Sequence, residues 1–140
     1  MTRDEIAALL DRYFAAMRAR DVDALMPMHI DKCTWDGPAI GTLKGKDQVE
    51  EAYRRMIAWF PDMEFEQHRL LLDGHRAVAV WTFSGTHEGE FAGLPGTGKR
   101  ISFDVLVAIR FEGTGIAGLR FFYDFNAAKM KTGAFKVKPV

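Results

Sequence analysis

The stretch Gly85-Thr86-His87-Glu88-Gly89-Glu90-Phe91-Ala92-Gly93-Leu94-Pro95-Gly96-Thr97-Gly98-Lys99-Arg100 decides how this chain is read. With glycines at 89, 93, 96 and 98 and a proline at 95, it suits neither a continuous helix nor a regular strand and is a long connection. The sequence on either side is β-branched and aromatic. Arg76 to Thr86 and Arg100 to Phe111 therefore read as strands joined through this loop. Gly93, Gly96 and Gly98 are loop glycines and not a phosphate cradle, because no helix and no lysine-serine pair follows them.

Further along the chain, Gly113-Thr114-Gly115 turns into a strand from Ile116 to Asp124, and Asp124 is placed to cap a terminal helix from Phe125 to Lys131. Upstream, Met63 to Leu72 reads as a strand, with Asp73-Gly74 as a two-residue hairpin signal. Before Pro61 the apolar period changes from two to three or four. Ile6, Leu9, Leu10, Tyr13, Phe14 and Met17 define one amphipathic helix. Asp21 caps a short second helix, Lys32 to Asp36 forms a strand ending at Gly37-Pro38, and Lys46 to Phe60 forms a third helix that Pro61 stops. Three helices followed by four long antiparallel strands make an α+β plan, in which the sheet curls over the helices and buries one face.

The composition narrows the function. At 140 residues with 48% apolar side chains, the chain can bury one core, so residues 1–140 are taken as a single domain. Lysine plus arginine equals aspartate plus glutamate at 19 each, which leaves no net field to recruit nucleic acid or an anionic membrane. A small neutral ligand fits better. Cys33 is alone, which excludes an internal disulfide and suits a reducing cytoplasm. The charged N-terminal segment does not resemble a signal peptide or a membrane span. His29, His68 and His75 lack metal-ligand spacing, so no metal is expected.

The Gly85–Arg100 segment resembles the Gly-Thr-His-x-Gly-Glu-Phe-x-Gly-Leu-Pro-Pro-Thr-Gly-Lys hairpin of SnoaL-like polyketide cyclase relatives, with Gly96 in place of the second proline. That resemblance implies the conical fold shared with nuclear transport factor two, ketosteroid isomerase, scytalone dehydratase and limonene epoxide hydrolase. In that fold a curved antiparallel sheet forms a conical barrel packed on three N-terminal helices. It also implies chemistry without a cofactor on a small hydrophobic molecule, and a homodimer formed through the outer sheet face.

The N-terminal half is similar to ketosteroid isomerase. Arg12-Tyr13-Phe14-Ala15-Ala16 resembles that enzyme's Arg-Tyr-Val-Ala-Ala, and Thr34-Trp35-Asp36-Gly37-Pro38 resembles its Val-Glu-Asp-Pro stretch. The likeness gives Asp36 the role of proton shuttle and Tyr13 that of enolate donor. Removing a proton beside a carbonyl needs such a pair, a carboxylate near the carbon and a donor near the oxygen.

Two family positions are altered. Val107 replaces the second oxyanion donor of ketosteroid isomerase, although Asp104 would serve if a bulge shifted the strand. In Leu119-Arg120-Phe121-Phe122-Tyr123-Asp124, Phe121 replaces the catalytic carboxylate of both the SnoaL cyclase and limonene epoxide hydrolase. Trp81, Phe83, Phe103, Phe121 and Tyr123 alternate along their strands and supply an aromatic wall, while His87 either fastens the hairpin loop by a hydrogen bond to backbone or faces the pocket as a further binding residue. Two main readings follow, an isomerase- or cyclase-type enzyme acting on a hydrophobic carbonyl compound or a non-catalytic binding module of the same fold; an epoxide hydrolase with relocated acids is a weaker third, since Phe121 removes one carboxylate of the expected pair.

Overall fold

A computed structural model describes residues 1–91 and 93–133. Helix α1 (Arg3–Ala19) starts where the Thr2 side chain accepts from the Glu5 amide and ends at Arg20, whose left-handed φ of 55° turns the chain back. Its inward stripe, including Leu10, Tyr13 and Met17, is buried. Helix α2 (Val22–Leu25) is capped by Asp21 and runs into a 3-10 turn at Met26–Met28. Helix α3 (Lys46–Trp59) buries Val49, Ala52, Tyr53 and Trp59. Helix α4 (Phe125–Lys131) is capped by Asp124, whose side chain accepts from Ala127 at 2.9 Å.

The strands are β1 (His29–Gly37), β2 (Gly41–Lys44), β3 (Glu64–Asp73), β4 (Arg76–Thr86), β5 (Arg100–Glu112) and β6 (Gly115–Phe122). They form one six-stranded sheet in the order β2-β1-β6-β5-β4-β3. The expected meander from β3 to β6 is present and antiparallel throughout. The expected curved sheet packed against the N-terminal helices is present as well. The sheet remains open with β2 and β3 as its edges, and β1 joins β6 in parallel. The chain reverses at the β1–β2 hairpin and α3 then carries it to β3, which runs the same way as β2, so the last strand of the meander returns parallel to β1.

Side chains of β4 alternate strictly, with Ala77, Ala79, Trp81 and Phe83 buried on the face that α1 and α3 cover. Along β5 the buried partners are Ile101, Val105, Val107 and Ile109. Each fully buried side chain of this size contributes about 1.5–3 kcal/mol, so the inner face dominates the stability.

The glycine-rich connection is tightly fastened. Thr86 donates to Asp62 from both its amide and its hydroxyl, each at 2.7 Å, and the Glu88 and Gly89 amides donate to the Trp59 carbonyl at the end of α3. A Cβ at Gly89 would run into the Ala58 carbonyl, and one at Gly96 into the Glu88 carbonyl. Gly96 thus sits where the returning chain passes against Glu88 with no room for a side chain. Gly89→Ala is expected to lower stability by about 1–3 kcal/mol through overpacking. A urea midpoint equal to wild type would show that the contact yields freely.

Candidate functional site

Between the inner sheet face, α1 and α3 lies a cavity of about 60 Å³. Trp81 and Phe83 of β4, Phe121 of β6 and Tyr123 form one side. Trp35 and Gly37 of β1, Trp59 and Met56 of α3, Met17 of α1 and Phe91 of the loop complete much of the rest. Phe103 does not reach the cavity. It lies beside the wall on the same inner face, with ring centroids 4.9 Å from Phe83 and 5.1 Å from Tyr123. The free space is small beside an engineered apolar cavity of about 150 Å³ that takes up benzene. Ala39, Ile40 and Met56 are half-buried at its margin, and a thioether side chain adjusts readily.

Tyr13 is fully buried, but not on this wall. Its hydroxyl lies 3.0 Å from that of Tyr53, which lies 2.9 Å from His29 Nε2, while His29 Nδ1 lies 2.8 Å from the Leu25 carbonyl. A carbonyl can only accept, so Nδ1 carries the proton and neutral Nε2 accepts. Tyr53 therefore donates to His29, and Tyr13 donates to Tyr53. The proton of Tyr13 is already committed, leaving none for a ligand oxygen. Burial is the main cause of the raised pKa of both phenols. Burial also pushes His29 down to about 4, against the upward pull of the Leu25 bond and with a smaller downward contribution from Lys46.

Asp36 lies on the opposite face of the sheet. Trp35 points inward, so its neighbour points outward, where Asp36 Oδ2 pairs with Arg120 Nε at 3.2 Å and Oδ1 accepts from Thr42 at 3.3 Å. Its side chain is 43% exposed. The structure therefore does not bring the expected base and the expected donor together, which corrects the pairing drawn from ketosteroid isomerase. Asp104 does not replace it. No bulge displaces β5 against β4 at that point, and Asp104 accepts from Thr82 on the outer face. Val107 is fully buried core.

His87 is also fully buried but does not line the cavity. It anchors the loop: its amide donates to Lys99, its carbonyl accepts from Thr97 and Gly98, and Nδ1 lies 3.1 Å from the Thr97 hydroxyl. Its Nε2 is enclosed without a partner, with its ring near Phe60 and Phe91. Among the described residues, no cluster of three or more His, Cys, Asp or Glu could hold a metal, and no helix is long and apolar enough to cross a membrane.

Sequence reasoning missed the Tyr53–His29 partnership and the place of Trp35 on the wall. Tyr53 was visible on the apolar stripe of α3. His29 carries no local signal, since only the fold brings it to Tyr53.

An α+β cone with a small aromatic cavity under helices is the architecture of the nuclear transport factor two and ketosteroid isomerase class. A SnoaL-like domain model matches residues 10–119, and the chain belongs to that family. The structure is similar to that of AclR from Streptomyces galilaeus, with TM-score 0.81 and 20% identity, covering 99% of this chain and 91% of that one. TsrD from Streptomyces laurentii gives 0.83 and 24%, covering 96% and 99%. A protein from Jannaschia sp. CCS1, described as a candidate SnoaL-like polyketide cyclase, gives 0.86 and 16%, covering 95% and 94%. At these identities the likeness carries the fold alone. No curated protein matches the sequence.

The His29 network makes a pH prediction. An unfolded histidine titrates near 6.5 and the folded one near 4, so between those values only the unfolded chain takes up the proton. Stability is therefore fully present above about pH 6.5 and is lost as the pH falls toward 4. Relative to His29→Gln, the wild type should lose about 2–3 kcal/mol more between pH 7 and 4.5, read from urea midpoints. Parallel pH profiles would mean that His29 does not sit neutral in the folded state.

Proposed function

We propose that this SnoaL-like domain binds a compact hydrophobic ring compound in its cone, without proton transfer by a carboxylate. One observation carries the reading: among the described residues no acidic or basic side chain lines the cavity, and Asp36 points to the outer face, where it pairs with Arg120. Isomerisation, aldol-type closure and dehydration through an Asp36–Tyr13 pair would need both groups to face one guest, and neither lies on the cavity wall as the chain stands. A ring enters by displacing the pliable margin at Met56 and Ile40. We place the protein in the cytoplasm, where the buried Cys33 thiol stays reduced.

Asp36→Asn separates the two readings. Binding of a cyclic enone, followed by calorimetry, is expected to change less than twofold, and the melting temperature very little, because the Asp36–Arg120 pair is largely exposed. Turnover of a cyclic enone or polyketide-like ketone that wild type performs and Asp36→Asn loses, at unchanged melting temperature, would restore the enzymatic reading.

The occupant of the outer sheet face is a second copy of this chain. Leu71, Phe122 and Leu106 are 60%, 46% and 36% exposed there, next to the Asp36–Arg120 and Arg110–Glu112 pairs, so the surface offers apolar area and both signs of charge to its own image. Sedimentation is expected to give a dimer at micromolar concentration and a monomer for Phe122→Glu. A wild-type monomer would contradict it.

A further inference from the structure

The polar groups left uncommitted on the cavity wall share one character. Among the described residues its side chains are apolar except for three indoles and the Tyr123 hydroxyl, with no carboxylate, amide or imidazole. The Trp81 indole already donates to Gln67 Oε1, at 3.4 Å. Tyr123 is pushed up to about 12, chiefly by burial, with the Ala39 backbone pulling the other way. The Trp35 indole N–H, like that of Trp59, has no hydrogen-bond partner among the described residues. It is not sealed among side chains as His87 Nε2 is, and it reaches the cavity at Gly37, where an added Cβ would lie 3.5 Å from Trp35 Nε1.

We propose that the Trp35 indole N–H is the hydrogen-bond donor that positions the ligand, and that the ligand is a flat aryl ketone or related ring compound whose carbonyl oxygen accepts from it at Gly37. The proposal rests on the cavity-binding reading above and deepens it. An indole N–H only donates, so a guest presenting a hydroxyl or amine proton at that point gains nothing from it. A guest without an oxygen leaves the donor unpaired once water is excluded, which costs binding energy. Trp35 is fixed for this task by its neighbours. Its ring lies 4.4 Å from Phe121 and 5.0 Å, edge to face, from Tyr53. The Tyr13–Tyr53–His29 chain thus supports the donor from below and does not itself touch the ligand.

The bare backbone of Gly37 leaves the N–H accessible. A methyl group there would make ordinary van der Waals contact with Nε1 and with Phe121, and Gly37 has no left-handed φ, so Gly37→Ala covers the donor without straining the strand.

The probes are acetophenone and α-methylstyrene, which share a shape and differ by a carbonyl oxygen in place of a methylene. By calorimetry, wild type is expected to bind acetophenone at least tenfold more tightly. In Gly37→Ala and in Trp35→Phe the ratio should fall below threefold. The chain holds 3 tryptophans, so a nitrogen-15 spectrum resolves their indole protons, and Trp35→Phe identifies its own signal. That signal should move downfield with acetophenone and stay in place with α-methylstyrene. A tenfold ratio retained in both variants, or a downfield shift at Trp59 in place of Trp35, overturns the assignment while leaving the cavity reading intact. Failure of both probes to bind wild type overturns the cavity reading, and this one with it.

Discussion

A sheet covered on one face only must sort its side chains by twos, and everything else in this molecule follows from that constraint. Trp35 is drawn inward against Phe121 and Tyr53, so Asp36 is turned outward. Val105 and Val107 lie among the core residues, so Asp104 faces the solvent side with Thr82. The carboxylate that the family resemblance would send to a reaction centre, and the one that a bulge would have brought there, are thus both kept out of it by the pleat. Reversing either would slip a strand by one residue and expose its whole apolar set, a cost far above what one misplaced acid could return.

Most of the fold was legible because its signals are local. The span Arg76–Thr86 and the helix Phe125–Lys131 match the sequence reading to the residue, since alternation, caps and turn glycines fix them without help from distant parts. The short strand β2 was missed. Its Gly41-Thr42-Leu43-Lys44 has too few residues to show a period, and it exists because β1 offers an edge. The parallel joining of β1 to β6 was equally hidden, because it depends on where α3 delivers the chain and not on composition.

The site was harder to read, for a physical reason that alternation itself supplied. Trp35 and Asp36 are adjacent, so at most one could face inward, and a tryptophan is far cheaper to bury than a carboxylate. The resemblance drew attention to the acid, while the residue that reaches the interior was its neighbour. Tyr13 is interior as expected, but its role depends on Tyr53 and His29, 40 and 16 residues away, and on a hydrogen-bond direction set by the Leu25 carbonyl. No sequence pattern encodes a proton's direction.

The hairpin loop also completes a distant helix. By giving two amides to the Trp59 carbonyl, Glu88 and Gly89 close the final turn of α3, a service usually rendered by residues immediately downstream. The glycine signature is therefore a remote capping device. A deletion within the loop would unwind the helix end that carries Met56 and Trp59, so the span that looks most free to vary is mechanically tied to the interior it encloses.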